Sequence, residues 1–148
     1  MKKVICILVL SLFLFNCSKS DDDNSSATFL EKYDGTVWYS DDDGMYYRIV
    51  NNLNNPREIY WSNIDCYNYI SFEFDPFTTI DSNDTTFQYT IHSPGEGGPF
   101  DVTTLTVTGN SLKVETKFFE DVGVLDYSIT FNFTKSSVDV DSLIKCEY

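Results

Sequence analysis

Few residues in this 148-residue sequence have a type and spacing that could support catalysis. His92 is the only histidine, and it falls on the polar side of an alternating segment beside a Pro-Gly loop. A Ser-His-Asp arrangement cannot be built from its spacing, and a lone exposed histidine is usually an ordinary surface residue. The acidic residues are spread along the chain, and no carboxylate pair is singled out for acid–base work. We therefore expect no catalytic residue, no cofactor and no enzyme activity.

Two acidic segments could in principle supply oxygen ligands to calcium. Residues 41–44 are three aspartates followed by a glycine, and residues 81–84 contain two aspartates and an asparagine. Neither segment has the spacing of a calcium-binding loop, so both are predicted to be solvated turns. Two thiols and one histidine also give no compact ligand set, and we expect no metal site.

The acidic balance of the chain excludes some classes of partner. There are 23 acidic and 10 basic residues, for a net charge of −13. Binding to phosphate depends on clustered lysine and arginine, so neither nucleic acid nor a polybasic membrane contact is expected. The hydrophobic content of 42%, with 16% aromatic residues, is too high for a disordered chain. The length favours a single folded domain.

The start of the chain has the pattern of a lipoprotein export signal. Two lysines precede an apolar run over residues 4–15. Because a membrane-spanning helix needs about 20 apolar residues, this run has the length of a removable secretory signal. Leu14-Phe15-Asn16-Cys17 follows, and it resembles the lipobox of bacterial lipoproteins, where the cysteine thiol receives a diacylglyceryl group. The resemblance implies removal of residues 1–16 and anchoring in a membrane through a lipid on Cys17.

The residues after Cys17 are polar and acidic. Ser18-Lys19-Ser20-Asp21-Asp22-Asp23 resembles the acidic export signal of surface lipoproteins of the Bacteroidota. That resemblance implies an outer-membrane protein displayed at the cell surface, whereas the alternative is a solvated linker without sorting information. In either case residues 17–27 are expected to be a flexible tether, and residues 28–148 form the folded domain.

Two of the four cysteines lie in the expected folded domain, since Cys6 is in the leader and Cys17 is the expected lipid site. They are Cys66 and Cys146, an even pair in an exported protein. A disulfide between them would close a loop of about 80 residues. The alternative is two buried free thiols.

The folded part alternates apolar and polar residues with a period of two. One apolar face and one polar face is the pattern of an antiparallel sheet. Strands are expected at residues 35–40, 45–50, 57–62, 67–74, 87–92, 103–108, 112–118, 127–134 and 143–147, with longer loops at 75–84 and 93–99. The sequence therefore predicts an all-β, antiparallel up-and-down meander of eight or nine strands.

Turn residues predict the register of the three most regular strands. Gly109-Asn110 has the composition of a two-residue hairpin loop, which pairs Thr108 with Ser111. A second hairpin around residues 121–124 pairs Phe118 with Tyr127. Both registers bury the same face of the middle strand, and a slip of one residue would turn that face to solvent.

This strand plan in an exported lipoprotein is similar to the lipocalin-like lipoproteins of the Bacteroidota, in which a Gly-x-Trp element opens the first strand. The matching stretch here is Gly35-Thr36-Val37-Trp38, with one additional residue between glycine and tryptophan. The resemblance implies a small barrel that holds a small apolar ligand. The candidate ligand-binding residues are the aromatic residues expected to point inward: Trp38, Tyr47, Phe72, Phe87, Tyr89 and Phe131.

Two questions stay open from the sequence. A barrel of eight strands is just wide enough for its own side chains or for one small ligand, so a filled core and a ligand pocket both fit. A second aromatic group is expected to lie partly outward, either as a surface for an envelope protein or a glycan, or under the chain's own termini. This group is Tyr60, Trp61, Tyr67 and Tyr69. The expected function is a lipid-anchored binding protein, and the alternative is an interaction lipoprotein with a filled barrel.

Overall fold

A computed structural model describes residues 27–71, 78–92, 100–121 and 124–147. Within these residues, nine strands form one antiparallel sheet. The strands are β1 (Val37–Ser40), β2 (Met45–Ile49), β3 (Arg57–Ser62), β4 (Tyr67–Ile70), β5 (Thr78–Ser82), β6 (Thr86–His92), β7 (Phe100–Thr108), β8 (Ser111–Asp121) and β9 (Val124–Ser136). Their order in the sheet is β4-β3-β2-β1-β9-β8-β7-β6-β5. The prediction of an all-β antiparallel fold is confirmed.

The hairpin registers agree with the prediction. Thr108 pairs with Ser111 in β7–β8, and Phe118 pairs with Tyr127 in β8–β9. Gly109 has a φ of 59°, the left-handed conformation that this turn requires. The β8–β9 register shifts after Phe118, so the end of this hairpin is irregular.

Some strand boundaries differ from the prediction. Residues 75–84 were expected to be a loop, but they contain the edge strand β5. Among the described residues that strand pairs only with β6, and it is bulged between Thr79 and Asp81, which explains its weak sequence pattern. The expected strand at residues 143–147 is a single bridge between Tyr67 and Lys145. The predicted loop at residues 93–99 and the candidate residue Phe72 lie outside the described residues.

The sheet curls strongly. Arg57 of β3 and Tyr89 of β6 are separated by five strands in sheet order, which in a flat sheet means about 29 Å. The Arg57 Cζ atom nevertheless lies 5.9 Å from the centre of the Tyr89 ring. The two ends of the sheet therefore face each other across a concave interior, where the main hydrophobic core lies.

A closed barrel is not shown by the described residues, in which β4 and β5 are the two edge strands. Each strand runs antiparallel to its neighbours and the sheet has nine described strands. The two edge strands β4 and β5 therefore run in the same direction. Parallel neighbours need a crossover of about a dozen residues or more, and only residues 71–77 join β4 to β5. Direct hydrogen bonding between these consecutive edge strands is therefore disfavoured by chain length.

One short helix packs into the concave interior. Helix α1 (Phe29–Tyr33) begins with a capping box formed by Thr28 and Glu31. Phe29 is fully buried, and its ring stacks on Phe87 of β6 at 5.9 Å. Lys32 binds the backbone carbonyl of Asp84 in the β5–β6 turn at 2.9 Å. The helix therefore covers the end of the sheet that carries this turn.

The C-terminal segment covers part of the convex face. It includes a 3-10 turn (Val140–Ser142) and ends at the Cys66–Cys146 disulfide. Backbone hydrogen bonds join it to β4, from Tyr67 to Ile144 and from Cys146 back to Tyr67. Of the two alternatives for this cysteine pair, the structure shows the disulfide. Helix α1 is too short to span a membrane, and the described residues contain no longer apolar helix.

Candidate ligand site on the concave face

Strand alternation brings one side of several strands to the concave face. Ile49 pairs with Arg57, Tyr47 with Ile59, and Met45 with Trp61 across β2 and β3. These side chains meet those of β8 and β9 from the far side of the curl. Together they line a cavity of about 70 Å³: Met45, Tyr47, Arg57, Ile59, Trp61, Val114, Thr116, Phe131 and Phe133.

Three polar side chains meet inside this face. They are Arg57, Tyr47 and Tyr89, and each of them influences the pKa of the other two. Burial raises the pKa of both phenols, that of Tyr47 well above its ordinary value. Burial alone would lower the pKa of Arg57, but its interactions with Tyr89, Tyr47 and the Asp101 carboxylate outweigh this effect, and the pKa is raised. Arg57 is therefore a permanent cation next to two neutral phenols.

The Tyr47 hydroxyl is a buried polar group on this face. Its side chain is 1% exposed, and no group among the described residues completes a hydrogen bond to the hydroxyl. Buried polar groups normally have partners, so one without a partner calls for an explanation such as a ligand or a water molecule.

Asp101 adds a negative charge near the cluster. It lies on the concave face of β7, in register with Phe118 of β8. Burial raises the pKa of this carboxyl, while the positive charge of Arg57 acts in the opposite direction. Two residues further along β7, Thr103 is buried and shares a hydroxyl hydrogen bond of 3.0 Å with Thr116.

The concave face opens to solvent along the first half of β9. Phe133 is buried and Phe131 is half-buried, whereas Ile129 is 39% and Tyr127 is 49% exposed on the same face. The Tyr127 ring stacks on Phe118 at 4.3 Å. Strand β1 pairs with β9 only at residues 134–136. In the described structure the first half of β9 therefore pairs with β8 alone. An apolar surface therefore leads from the cavity to solvent.

The predicted ligand-binding residues have different positions. Tyr47 and Phe131 line the cavity, and Tyr89 lies beside Arg57. Trp38 and Phe87 belong to the packed core and are not among the residues lining the cavity. Arg57 and Asp101 were not predicted from the sequence, although Arg57 lies two residues from Ile59 on the same strand and its inward position follows from that spacing.

The predicted surface aromatics require correction. Tyr60 is fully buried on the convex side, where it packs with Val37 and Val140. Tyr67 and Tyr69 pack against the same cluster. Trp61 lies on the opposite face and lines the concave cavity. Of the two alternatives for these residues, the second packed layer describes Tyr60, Tyr67 and Tyr69.

A network of charges holds this second layer. Arg48 forms ion pairs with Glu58 and, at 2.8 Å, with Asp141 of the C-terminal segment. The Tyr60 and Tyr69 hydroxyls donate to the Glu58 carboxylate at 3.2 and 2.9 Å. All of these groups are matched to partners within the chain, so the arrangement is that of a structural contact.

The other candidate residues do not form a site. Asp43 accepts a hydrogen bond of 2.6 Å from Ser40, and the Asn83 side chain caps the turn before β6. Among the described residues, no group of three or more His, Cys, Asp or Glu side chains could hold a metal ion. The His92 backbone pairs with Phe100, and its side chain is outside the described part.

A second depression, of about 560 Å³, is more open than the concave cavity. It is lined largely by polar side chains of β7, β8 and β9 together with Asp41 and Asp42. The buried Tyr47 hydroxyl, which lacks a hydrogen bond among the described groups, does not belong to this depression. The concave cavity is therefore the better candidate for a ligand site.

No protein-family model, curated protein or solved structure matches the chain.

Proposed function

We propose that this chain is a binding lipoprotein of the cell envelope, anchored in the outer membrane through a lipid on Cys17 and displayed at the cell surface. The apolar leader, the lipobox-like residues 14–17 and the acidic residues after them support the anchor. These residues lie outside the described part of the structure. The Cys66–Cys146 disulfide is compatible with an oxidising compartment.

In this proposal the concave face of the sheet holds a small ligand with an apolar body. One observation carries it: the cavity walled by Tyr47, whose buried hydroxyl lacks a hydrogen-bond partner among the described residues, is continuous with an exposed apolar surface. Thr116 lines the cavity and pairs with exposed Ile129, which makes that continuity direct. Small-ligand sites commonly combine apolar walls with a few placed polar groups.

The proposed ligand site does not need the closed lipocalin-like barrel that the sequence resemblance implied. A curled sheet with a concave pocket performs the same task as a barrel lumen, and closure by hydrogen bonds is not required for it. The proposal includes no catalytic step.

The alternative, an interaction lipoprotein that meets an envelope protein or glycan through outward aromatics, has less support. Tyr60 is fully buried and Tyr69 packs under the C-terminal segment, so the expected aromatic surface is already used inside the chain.

Intact mass spectrometry of the protein purified from membranes tests the anchor. Wild type is expected to begin at Cys17 and to carry a diacylglyceryl mass, and Cys17→Ala is expected to lose that mass. Cys6→Ala is the matched control, because it alters a leader cysteine and should leave acylation unchanged. An unmodified Cys17 with residues 1–16 retained would overturn the anchor.

Binding of the neutral fluorophore N-phenylnaphthylamine tests the pocket. We expect saturable fluorescence enhancement with wild type and its loss with Ile129→Asp. Thr130→Asp is the matched control, because it adds the same charge at the next exposed position on the opposite face of β9. Equal loss in both variants, or no saturable binding to wild type, would contradict a ligand site on the concave face.

A further inference from the structure

We propose, building on the binding function above, that the concave site selects an amphiphile with a single negative charge: Arg57 and the Tyr47 hydroxyl bind its carboxylate head, and its chain lies toward Ile129 and Tyr127.

The polar groups of the cavity wall indicate that the charged head group of the ligand binds in the cavity. Arg57 and Tyr47 both line the cavity, and Tyr89 lies against the Arg57 guanidinium. The fully buried Tyr47 hydroxyl can donate one hydrogen bond and has no acceptor in hydrogen-bonding geometry among the described groups. An anionic oxygen beside a guanidinium is the acceptor that would satisfy this donor best, because charge-assisted hydrogen bonds are the strong ones.

The surrounding charges favour one negative charge over two. Asp101 lies near Arg57, and burial raises the pKa of its carboxyl. The charged form of this carboxyl is therefore already disfavoured beside the proposed head-group position. The whole chain also has a net charge of −13. A dianionic head such as a phosphate monoester would meet more repulsion at this position than a carboxylate does.

The cavity is large enough for the head group of the proposed ligand but too small for its chain. About 70 Å³ is room for roughly two water molecules, which is the scale of a carboxylate group. A longer body must therefore leave the cavity along the concave face. The row from Phe131 to Tyr127 spans four residue steps along β9, or about 13 Å, and its outer part is exposed and apolar.

Decanoate and decanol are suitable probes, because they share a chain of similar length to this row and differ in head-group charge. Binding of each radiolabelled compound is measured to the full lipoprotein in phosphatidylcholine vesicles, with protein-free vesicles as the blank. Wild type is expected to bind decanoate about tenfold more tightly than decanol, as one charge-assisted interaction implies. Decyltrimethylammonium, with the opposite charge, is expected to bind most weakly.

The variants assign the preference to residues. Tyr47→Phe and Arg57→Gln are each expected to abolish the preference for decanoate while decanol still binds, and Arg57→Lys is expected to retain part of it. Tyr46→Phe is the matched control, because it removes a hydroxyl from the adjacent position on the convex face. Tyr47→Phe keeps the shape of the core, so it remains informative if Arg57→Gln fails to fold.

The outcomes distinguish this inference from the function on which it rests. If wild type binds decanol as tightly as decanoate, the anionic class is wrong and an apolar ligand site remains. If neither compound binds above the blank, both proposals fail. If Tyr46→Phe loses the preference as fully as Tyr47→Phe, the assignment to the concave site is overturned.

Discussion

The Asp101 carboxyl shows how burial changes the charge behaviour of a side chain on the concave face. Burial raises its pKa above 3.8, and Arg57 only partly compensates. A carboxyl with a raised folded-state pKa binds its proton more tightly in the folded protein than in the unfolded one. Stability relative to a non-titrating variant therefore rises as pH falls through the folded pKa, and this gain is complete below the unfolded value.

We predict that Asp101→Asn is at least as stable as wild type near neutral pH, because the cost of burying a carboxylate is removed. Any advantage is expected to shrink as pH falls from neutral toward 3.8. Urea unfolding of both proteins across this interval measures the difference. Asp126→Asn, at an exposed position of β9, controls for the loss of one negative charge. A stability difference independent of pH would contradict the prediction.

Two buried hydroxyl groups on the concave face are expected to respond in opposite directions to removal. Tyr47→Phe deletes a hydroxyl without a described partner, so stability is expected to stay the same or rise by about 1 kcal/mol. Thr103→Val breaks the hydrogen bond to Thr116, so stability is expected to fall by about 1 kcal/mol. Chemical denaturation in the absence of ligand compares the two. A clear loss of stability in Tyr47→Phe would indicate that the hydroxyl has a partner.

At the scale of elements, the β7–β8 hairpin depends on its turn. Gly109 has a φ of 59°, and a Cβ added there would meet no atom within 4 Å. A substitution therefore tests backbone conformation without a steric clash. We predict that Gly109→Ala lowers the free energy of unfolding by about 1 kcal/mol and that Gly109→Asn lowers it less, since asparagine tolerates this conformation better. Equal losses in urea unfolding would mean that the turn conformation is not the cause.

The C-terminal segment is the element most dependent on a covalent bond. Its disulfide joins cysteines 80 residues apart, and its other described contacts include backbone hydrogen bonds to Tyr67, the buried Val140 and the Arg48–Asp141 ion pair. The chain-entropy relation predicts that Cys66→Ser with Cys146→Ser lowers stability by about 4–5 kcal/mol. Reduction of wild type is expected to give a similar loss in denaturation experiments, and reduction of the double variant to give none. A loss under 1 kcal/mol would show that the segment is held without the bond.

For the whole molecule, helix α1 and the curled sheet share one core. Phe29 of the helix is fully buried with residues from β1, β2, β6, β7, β8 and β9. We predict that Phe29→Ala lowers stability by about 3–5 kcal/mol and moves tryptophan fluorescence and far-ultraviolet circular dichroism transitions together. The exposed Lys32→Ala variant is the control. Separate transitions for the two signals would show that the helix is not part of one cooperative unit.

The lining of the concave face was predicted from the sequence only in part, for a physical reason. The inward positions of Tyr47, Tyr89 and Phe131 were predicted because apolar and aromatic residues in alternating strands indicate the buried face. Arg57 and Asp101 were missed because charged residues are usually exposed, and burial of a charge depends on the partners that surround it. Those partners come from strands distant in sequence.

The amino-acid sequence alone determined the all-β fold class and the pairing registers of β7, β8 and β9. Side-chain alternation and hairpin turns act over a few residues, so they are encoded locally. Only the tertiary structure decided that the described sheet curls with β4 and β5 as its edges, that Trp61 faces inward and that the C-terminal segment covers Tyr60. These features depend on twist accumulated over nine strands and on the pairing of β1 with β9, about a hundred residues apart, and no local pattern specifies them.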